Sequence, residues 1–279
     1  VSQRSSELPL DEQVQYRVDD AGVAWITLNR PDVKNAISPD QRDRLTALFA
    51  EASTDVGVRA VVLGHTGDAF CTGADLRARR PPAPRPDDAP PRVTGEIAKM
   101  IREGMQRLVT AILDCEKPVL GAIGGTAAGV GAHVAFACDL IIAADDVRFI
   151  EVFARRGLVP DGGGAYLLPR SIGLQRTKEL MFFGDDLPAT EAAALGLVNR
   201  AVPRAEFDET VAAWAARLAV APTRAISLTK ALINRSLDSD RATAFNEEAM
   251  AQEINMTTQD ANEGVAAFVE RRDAVYRGW

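Results

Sequence analysis

Two turns of small residues, each following an apolar run, constrain this chain more than any other feature. The first is Cys71-Thr72-Gly73-Ala74-Asp75-Leu76 and the second is Gly124-Gly125-Thr126-Ala127-Ala128-Gly129-Val130-Gly131-Ala132. Small side chains leave backbone N–H groups uncovered, and two such turns can aim their donors at one point. Donors fixed in that way stabilise an oxygen that gains negative charge, because the dipoles need no reorganisation during the reaction. The pair therefore predicts an oxyanion hole, and a fold able to bring two distant turns together.

The flanking segments supply that fold. Val14 to Val18 and Val23 to Leu28 alternate apolar and polar side chains around Asp19-Asp20-Ala21-Gly22, which predicts a β-hairpin. Ser38 followed by Pro39 predicts a helix start running to about Ala52, with Ser38 as N-cap and Pro39 at the first helical position, where it loses no bond. Arg59 to Gly64, Val119 to Ile123 and Leu140 to Ala143 read as buried strands, so strands alternate with helices and the class is α/β. After Ala189 the pattern turns almost wholly helical. Val211 to Leu218, Arg224 to Leu232 and Ala242 to Met256 carry apolar residues at helical spacing, punctuated by Pro222 and Gly264. One domain results, with a core over 14–200 and a helical region over 201–279. Arg77 to Arg92 holds six prolines and cannot form regular structure; beside Ala74 and Asp75 it reads as a surface loop or a lid.

Composition excludes several classes. With a net charge of -7 the chain is a poor partner for a phosphate backbone, so no nucleic acid is expected. Cys71, Cys115 and Cys138 lack C-x-x-C spacing and nearby His pairs, so neither a disulfide framework nor a metal site is indicated. No apolar run is long enough to cross a membrane, and Val1 to Gln13 lacks the apolar core of a signal peptide. The expectation is a cytoplasmic protein with no membrane partner.

Taken in order, Leu28-Asn29-Arg30-Pro31, Asn35-Ala36, the Ala69 to Leu76 segment, Lys117-Pro118-Val119, Cys138-Asp139 and Gly157-Leu158-Val159-Pro160-Asp161-Gly162-Gly163-Gly164 resemble the crotonase, or enoyl-CoA hydratase/isomerase, superfamily. The resemblance runs from about Val14 to Trp279. It implies a β-β-α spiral core with a helical C-terminal region that joins subunits, as a homotrimer or a dimer of trimers. It also implies an acyl-CoA thioester as substrate, with coenzyme A lying against Lys34, Asn35 and Ala36 and against Thr72, Gly73, Asp75 and Leu76. Arg30 and Lys34 would pair with its phosphates. Coenzyme A being part of the substrate, no separate cofactor is implied. The oxyanion donors would be the Ala74 and Val130 N–H groups, with Gly129 and Phe153 lining the acyl site.

Where the hydratases of that family hold water between two glutamates, this chain matches His133 and Phe153. A phenyl ring can neither take nor give a proton, so the usual hydration mechanism does not transfer. Asp161 matches the position of a working aspartate in several isomerase branches, and the alternative for it is an N-cap on a helix from Gly163 to Leu168. The reading that results is double-bond isomerisation, with Asp161 as principal acid/base and His133 secondary or space-filling. Two alternatives stay open: a hydratase or hydrolase in which His133 and Asp161 activate water, and a non-catalytic acyl-CoA binder or assembly subunit. Glu151 reads as non-catalytic, in a salt bridge with Arg155.

Overall fold

A computed structural model describes residues 8–78 and 84–279. A short α1 (Leu10–Gln13) leads into the hairpin of β1 (Val14–Val18) and β2 (Val23–Leu28), paired from Val14 with Leu28 to Val18 with Ala24. Asp19 pins the turn: its carboxylate accepts from the Val23 N–H at 2.9 Å and from the Trp25 indole at 2.8 Å. Then α2 (Pro39–Thr54) begins in a full capping box. The Ser38 hydroxyl accepts from the Gln41 N–H, and the Gln41 side chain accepts from the Ser38 N–H.

From here the chain winds in turns that each place one strand in either of two sheets. The first turn has β3 (Ala60–His65) and β4 (Ala69–Cys71), followed by α3 (Glu96–Ile101) and α4 (Arg107–Leu113). The second has β5 (Val119–Ile123), β6 (Thr126–Ala128) and α5 (Val130–Phe136). The third has β7 (Leu140–Ala144), β8 (Arg148–Ile150) and α6 (Gly164–Phe183). Next come β9 (Asp186–Pro188), α7 (Ala189–Ala194), β10 (Arg200–Val202), α8 (Phe207–Ala219), α9 (Thr223–Ser236), α10 (Arg241–Asn255) and α11 (Gln259–Glu270). One sheet runs β1-β2-β3-β5-β7-β10 and the other β4-β6-β8-β9, parallel except at β1 and β9. Each turn thus returns to the same two layers, a β-β-α spiral.

The sequence explains the layers. β5 is buried at every position and α5 contributes Val130 to Ala135 to the interior, so the second turn is the centre of the core. Asp139 receives the Val119 N–H at 2.7 Å and the buried Lys230 ammonium at 2.7 Å. Lys230 also donates to the Ile112 carbonyl at 3.0 Å, tying α9 to the end of α4. The C-terminal reading needs two corrections. β10 interrupts the helices after Ala189. Gly264 lies inside α11 and ends nothing, its missing side chain making room for Tyr276, whose hydroxyl would stand 3.0 Å from a methyl there. Residues 84–92 form no helix or strand, and 79–83, within the expected lid, lie outside the described residues.

Candidate active site

Lys34 and Asn35 both adopt left-handed backbone, φ 54° and 53°. Residues with side chains hold that conformation only when their surroundings enforce it. The Asn35 amide does so, accepting from the Arg30 N–H at 2.7 Å and donating to the Thr66 and Ala69 carbonyls at 2.9 and 2.7 Å. The Lys34 carbonyl in turn receives the Thr72 N–H and hydroxyl, each at 3.2 Å. The two segments expected to flank coenzyme A, Lys34 to Ala36 and Thr72 to Leu76, therefore lie side by side. Lys34 and Leu76 are exposed, while Asn35 is buried and its side chain fully committed.

Arg30, expected at the phosphates, is instead buried. Its guanidinium donates to the Ala36 carbonyl at 3.0 Å and to Gln41 at 2.9 Å, and pairs with Asp75 at 3.2 Å. The other Asp75 oxygen accepts from the Arg77 N–H at 3.0 Å, so Asp75 shapes the turn and caps no helix.

The two turns meet at their backbones. Ile37 donates to the Gly73 carbonyl at 2.8 Å and accepts from the Asp75 N–H at 2.9 Å, forming a parallel bridge around Ala74. Successive groups of an extended chain point to opposite sides, so the Ala74 N–H faces away from Ile37. Val130, behind Gly129 at φ 55°, opens α5 with its N–H among the unsatisfied donors of a helix start. Among the described residues neither N–H has an acceptor. Gly73 joins the two: a methyl there would lie 3.6 Å from the Val130 nitrogen and 3.3 Å from the Ala128 carbonyl. Gly131 seats α5 on the end of β4, since a methyl on it would lie 2.7 Å from the Cys71 carbonyl carbon.

His133, one turn into α5, is fully buried. Phe153 stacks on its ring at 5.2 Å between centroids and 16° between planes. Gly162 and Gly164 close around it, a methyl on the first falling 2.8 Å from Nδ1 and one on the second 2.6 Å from Cδ2. The glycines after Asp161 thus make room for the imidazole. Asp161 makes no capping bond; the N-cap of α6 is Gly163, in left-handed backbone at φ 92°. Asp161 is half-buried, and one of its oxygens is sealed from solvent without a partner. Burial pushes its carboxyl above the ordinary range.

Glu151 is the residue that sequence reasoning misplaced. It is buried, and its Oε2 meets His133 Nε2 at 3.1 Å, whereas Arg155 pairs with Asp185 at 3.3 Å. The contact arises because β6 pairs with β8, Ala128 beside Ile150, so residue 151 emerges next to the first turn of α5. A charged residue inside Phe149-Ile150-Glu151-Val152-Phe153 was the available signal, since a carboxylate in an apolar run needs a buried partner.

The profile of the enoyl-CoA hydratase/isomerase family matches residues 19–278. The chain belongs to that family. Among relatives of the enoyl-CoA hydratase/isomerase family, a Rhodobacter capsulatus protein named a probable enoyl-CoA hydratase is 37% identical over 95% of this chain and 98% of its own. The 1,2-epoxyphenylacetyl-CoA isomerase of Escherichia coli is 32% identical over 92% of this chain and 95% of its own. The solved enoyl-CoA hydratase of Mycobacterium smegmatis superposes with a TM-score of 0.85 at 31% identity, covering 95% of this chain and 98% of that one. At the two positions that the resemblance matches to hydratase glutamates stand a sealed imidazole, His133, and the phenyl ring of Phe153 packed on it.

Proposed function

We propose that this member of the enoyl-CoA hydratase/isomerase family shifts the double bond of an enoyl-CoA thioester by proton transfer. The observation that carries the reading is that His133 has no exposed surface, leaving Asp161 as the half-exposed carboxyl in this wall. The Asp161 carboxylate would remove a proton from a carbon conjugated to the thioester. The released electron pair moves onto the carbonyl oxygen, where the Ala74 and Val130 N–H groups stabilise it as a dienolate. The Asp161 O–H would then return the proton at the other end of the conjugated system, so atoms and charge balance without a cofactor. A carboxyl raised by burial suits this work, because a base nearer neutrality can both take and return the proton. Lys34, Ala36 and Leu76 would border coenzyme A, with the subunits assembled as trimers or pairs of trimers.

Water addition through His133 and Asp161 is the competing reading, favoured by the name of the Rhodobacter capsulatus relative. Incubating short, long and aryl enoyl-CoA esters with the protein in deuterated water, followed by mass spectrometry, separates the two. Isomerisation with deuterium exchange and no added water is expected. A hydroxyacyl product as the main species would overturn the isomerase reading.

A further inference from the structure

We infer that Glu151 is a positioning residue that fixes the tautomer and orientation of His133, so that the imidazole presents its Nδ1 lone pair to the wall containing Asp161. The inference rests on the reading of Asp161 as the proton carrier, and it assigns work to a residue that the sequence alone read as non-catalytic.

The hydrogen-bond inventory carries the argument. A carboxylate only accepts, so the 3.1 Å contact between Glu151 Oε2 and His133 Nε2 places the ring proton on Nε2. A ring that carries only that proton is left with an acceptor at Nδ1. That atom is sealed from solvent and has no partner among the described residues. It lies 2.8 Å from where a Gly162 methyl would sit, and Asp161, next in the chain, has an oxygen that is sealed and unpartnered in the same way. The ring cannot turn over to exchange its nitrogens, because Phe153 covers one side and Gly164 packs on the other.

Burying two titratable groups together is costly unless they are paired. An apolar pair of the same shape would fill this space without that cost. What Glu151 and His133 add is an acceptor, Nδ1, fixed against Gly162, the residue next to Asp161. Asp161 takes the substrate proton on its open oxygen and returns it from that same oxygen, while the imidazole keeps its Nε2 proton on Glu151 throughout. No oxidant or further reactant enters. The charged groups set around the ring are Glu151, from the end of β8, and Asp161, from the loop before α6; Val130, Phe153 and the glycines supply the other walls.

The test begins without substrate. The chain holds two histidines, so in the ¹⁵N-histidine-labelled protein the His133 signals are those lost in His133→Asn. Near neutral pH the expected spectrum has Nε2 protonated and Nδ1 bare, and Glu151→Gln is expected to alter that distribution. A proton on Nδ1 in the unmodified protein, or a tautomer unaffected by Glu151→Gln, would overturn the inference. Should Glu151→Gln not fold, Glu151→Asp, which keeps the charge and shortens the reach, carries the same expectation. With an ester that the unmodified protein turns over, Glu151→Gln should lower kcat at least about tenfold with KM nearly unchanged, and Glu151→Asp should recover part of it. If no ester is turned over, the Asp161 reading fails while the spectra still decide the role of Glu151.

Discussion

At the scale of single residues, the site turns on side chains whose surroundings oppose their ordinary ionisation or size. Asp161→Asn removes the proton carrier but keeps the shape, so turnover should fall by about 10²-fold or more while the CoA ester still binds; calorimetric titration beside initial rates would show it. The sign of the stability effect runs the other way. Because burial raises the Asp161 carboxyl, the folded state holds that proton more tightly than the unfolded chain does. The ionised group therefore costs stability above its folded pKa, and the cost is relieved as pH falls through that value. Asp161→Asn is thus expected to melt no lower than the unmodified protein at pH 7, and higher if burial dominates. In rate measurements, the acidic limb of kcat/KM should lie above the usual carboxylate range and vanish in the variant. Gly164→Ala acts by volume: its methyl would stand 2.6 Å from His133 Cδ2, so it must displace the ring from Glu151. Overpacking of that kind costs roughly 1–3 kcal/mol, readable as a lower denaturant midpoint. A Gly164→Ala protein with unchanged midpoint and unchanged histidine spectrum would show that the wall yields freely.

At the scale of elements, legibility in the sequence follows the range of the interactions that decide each one. Ser38-Pro39 announced the start of α2 because capping is local, and its Gln41 partner lies three residues on. Ser38→Ala should therefore cost about 1 kcal/mol, measured by chemical denaturation, with little change in turnover. The hairpin was legible for the same reason, Asp19 making bonds to Val23 and Trp25 across its own turn. The site was legible only as far as backbone turns could be recognised. Cys71 to Leu76 and Gly124 to Ala132 could be paired by their residue types, yet the Arg30–Asp75 ion pair joins residues 45 apart and is set by how two loops stack. Glu151 escaped for a related reason: its partner is 18 residues away and the pairing of β6 with β8 decides the contact. The Gly131 seating of α5 on Cys71 makes the two expected oxyanion donors one mechanical unit. Val130→Pro deletes one N–H at a helix start that tolerates proline, so a folded variant should lose on the order of 2.7–4 kcal/mol of barrier lowering. Unchanged kcat in that variant would remove Val130 from the mechanism.

At the scale of the whole molecule, the spiral and the C-terminal helices differ in how they bury themselves. The two sheets enclose a continuous apolar core, from Val14 through Leu63, Leu120 and Ile142 to Val211. By contrast α10 buries none of its residues, and Phe245 and Met250 on it stand 64% and 56% exposed. Phe268 and Val269 at the end of α11 are 85% and 73% exposed, and Phe182 and Phe183 at the end of α6 are 67% and 65% exposed. Large apolar side chains thus stand exposed on three helices, α6, α10 and α11, where contact with other copies of the chain would remove them from water. The trimeric assembly implied by the family would cover them, each fully buried side chain contributing about 1.5–3 kcal/mol. The chain is then expected to sediment as a trimer or hexamer at micromolar concentration. Phe268→Glu should shift it toward smaller species, because an unpaired carboxylate would be desolvated in the contact. The Glu151–His133–Asp161 wall lies within one spiral and the Ser38 cap lies in α2, so a dissociated Phe268→Glu protein should keep the histidine tautomer of the parent. A stable monomer of the unmodified chain in analytical ultracentrifugation would overturn the assembly, and would leave those apolar helix faces needing another cover.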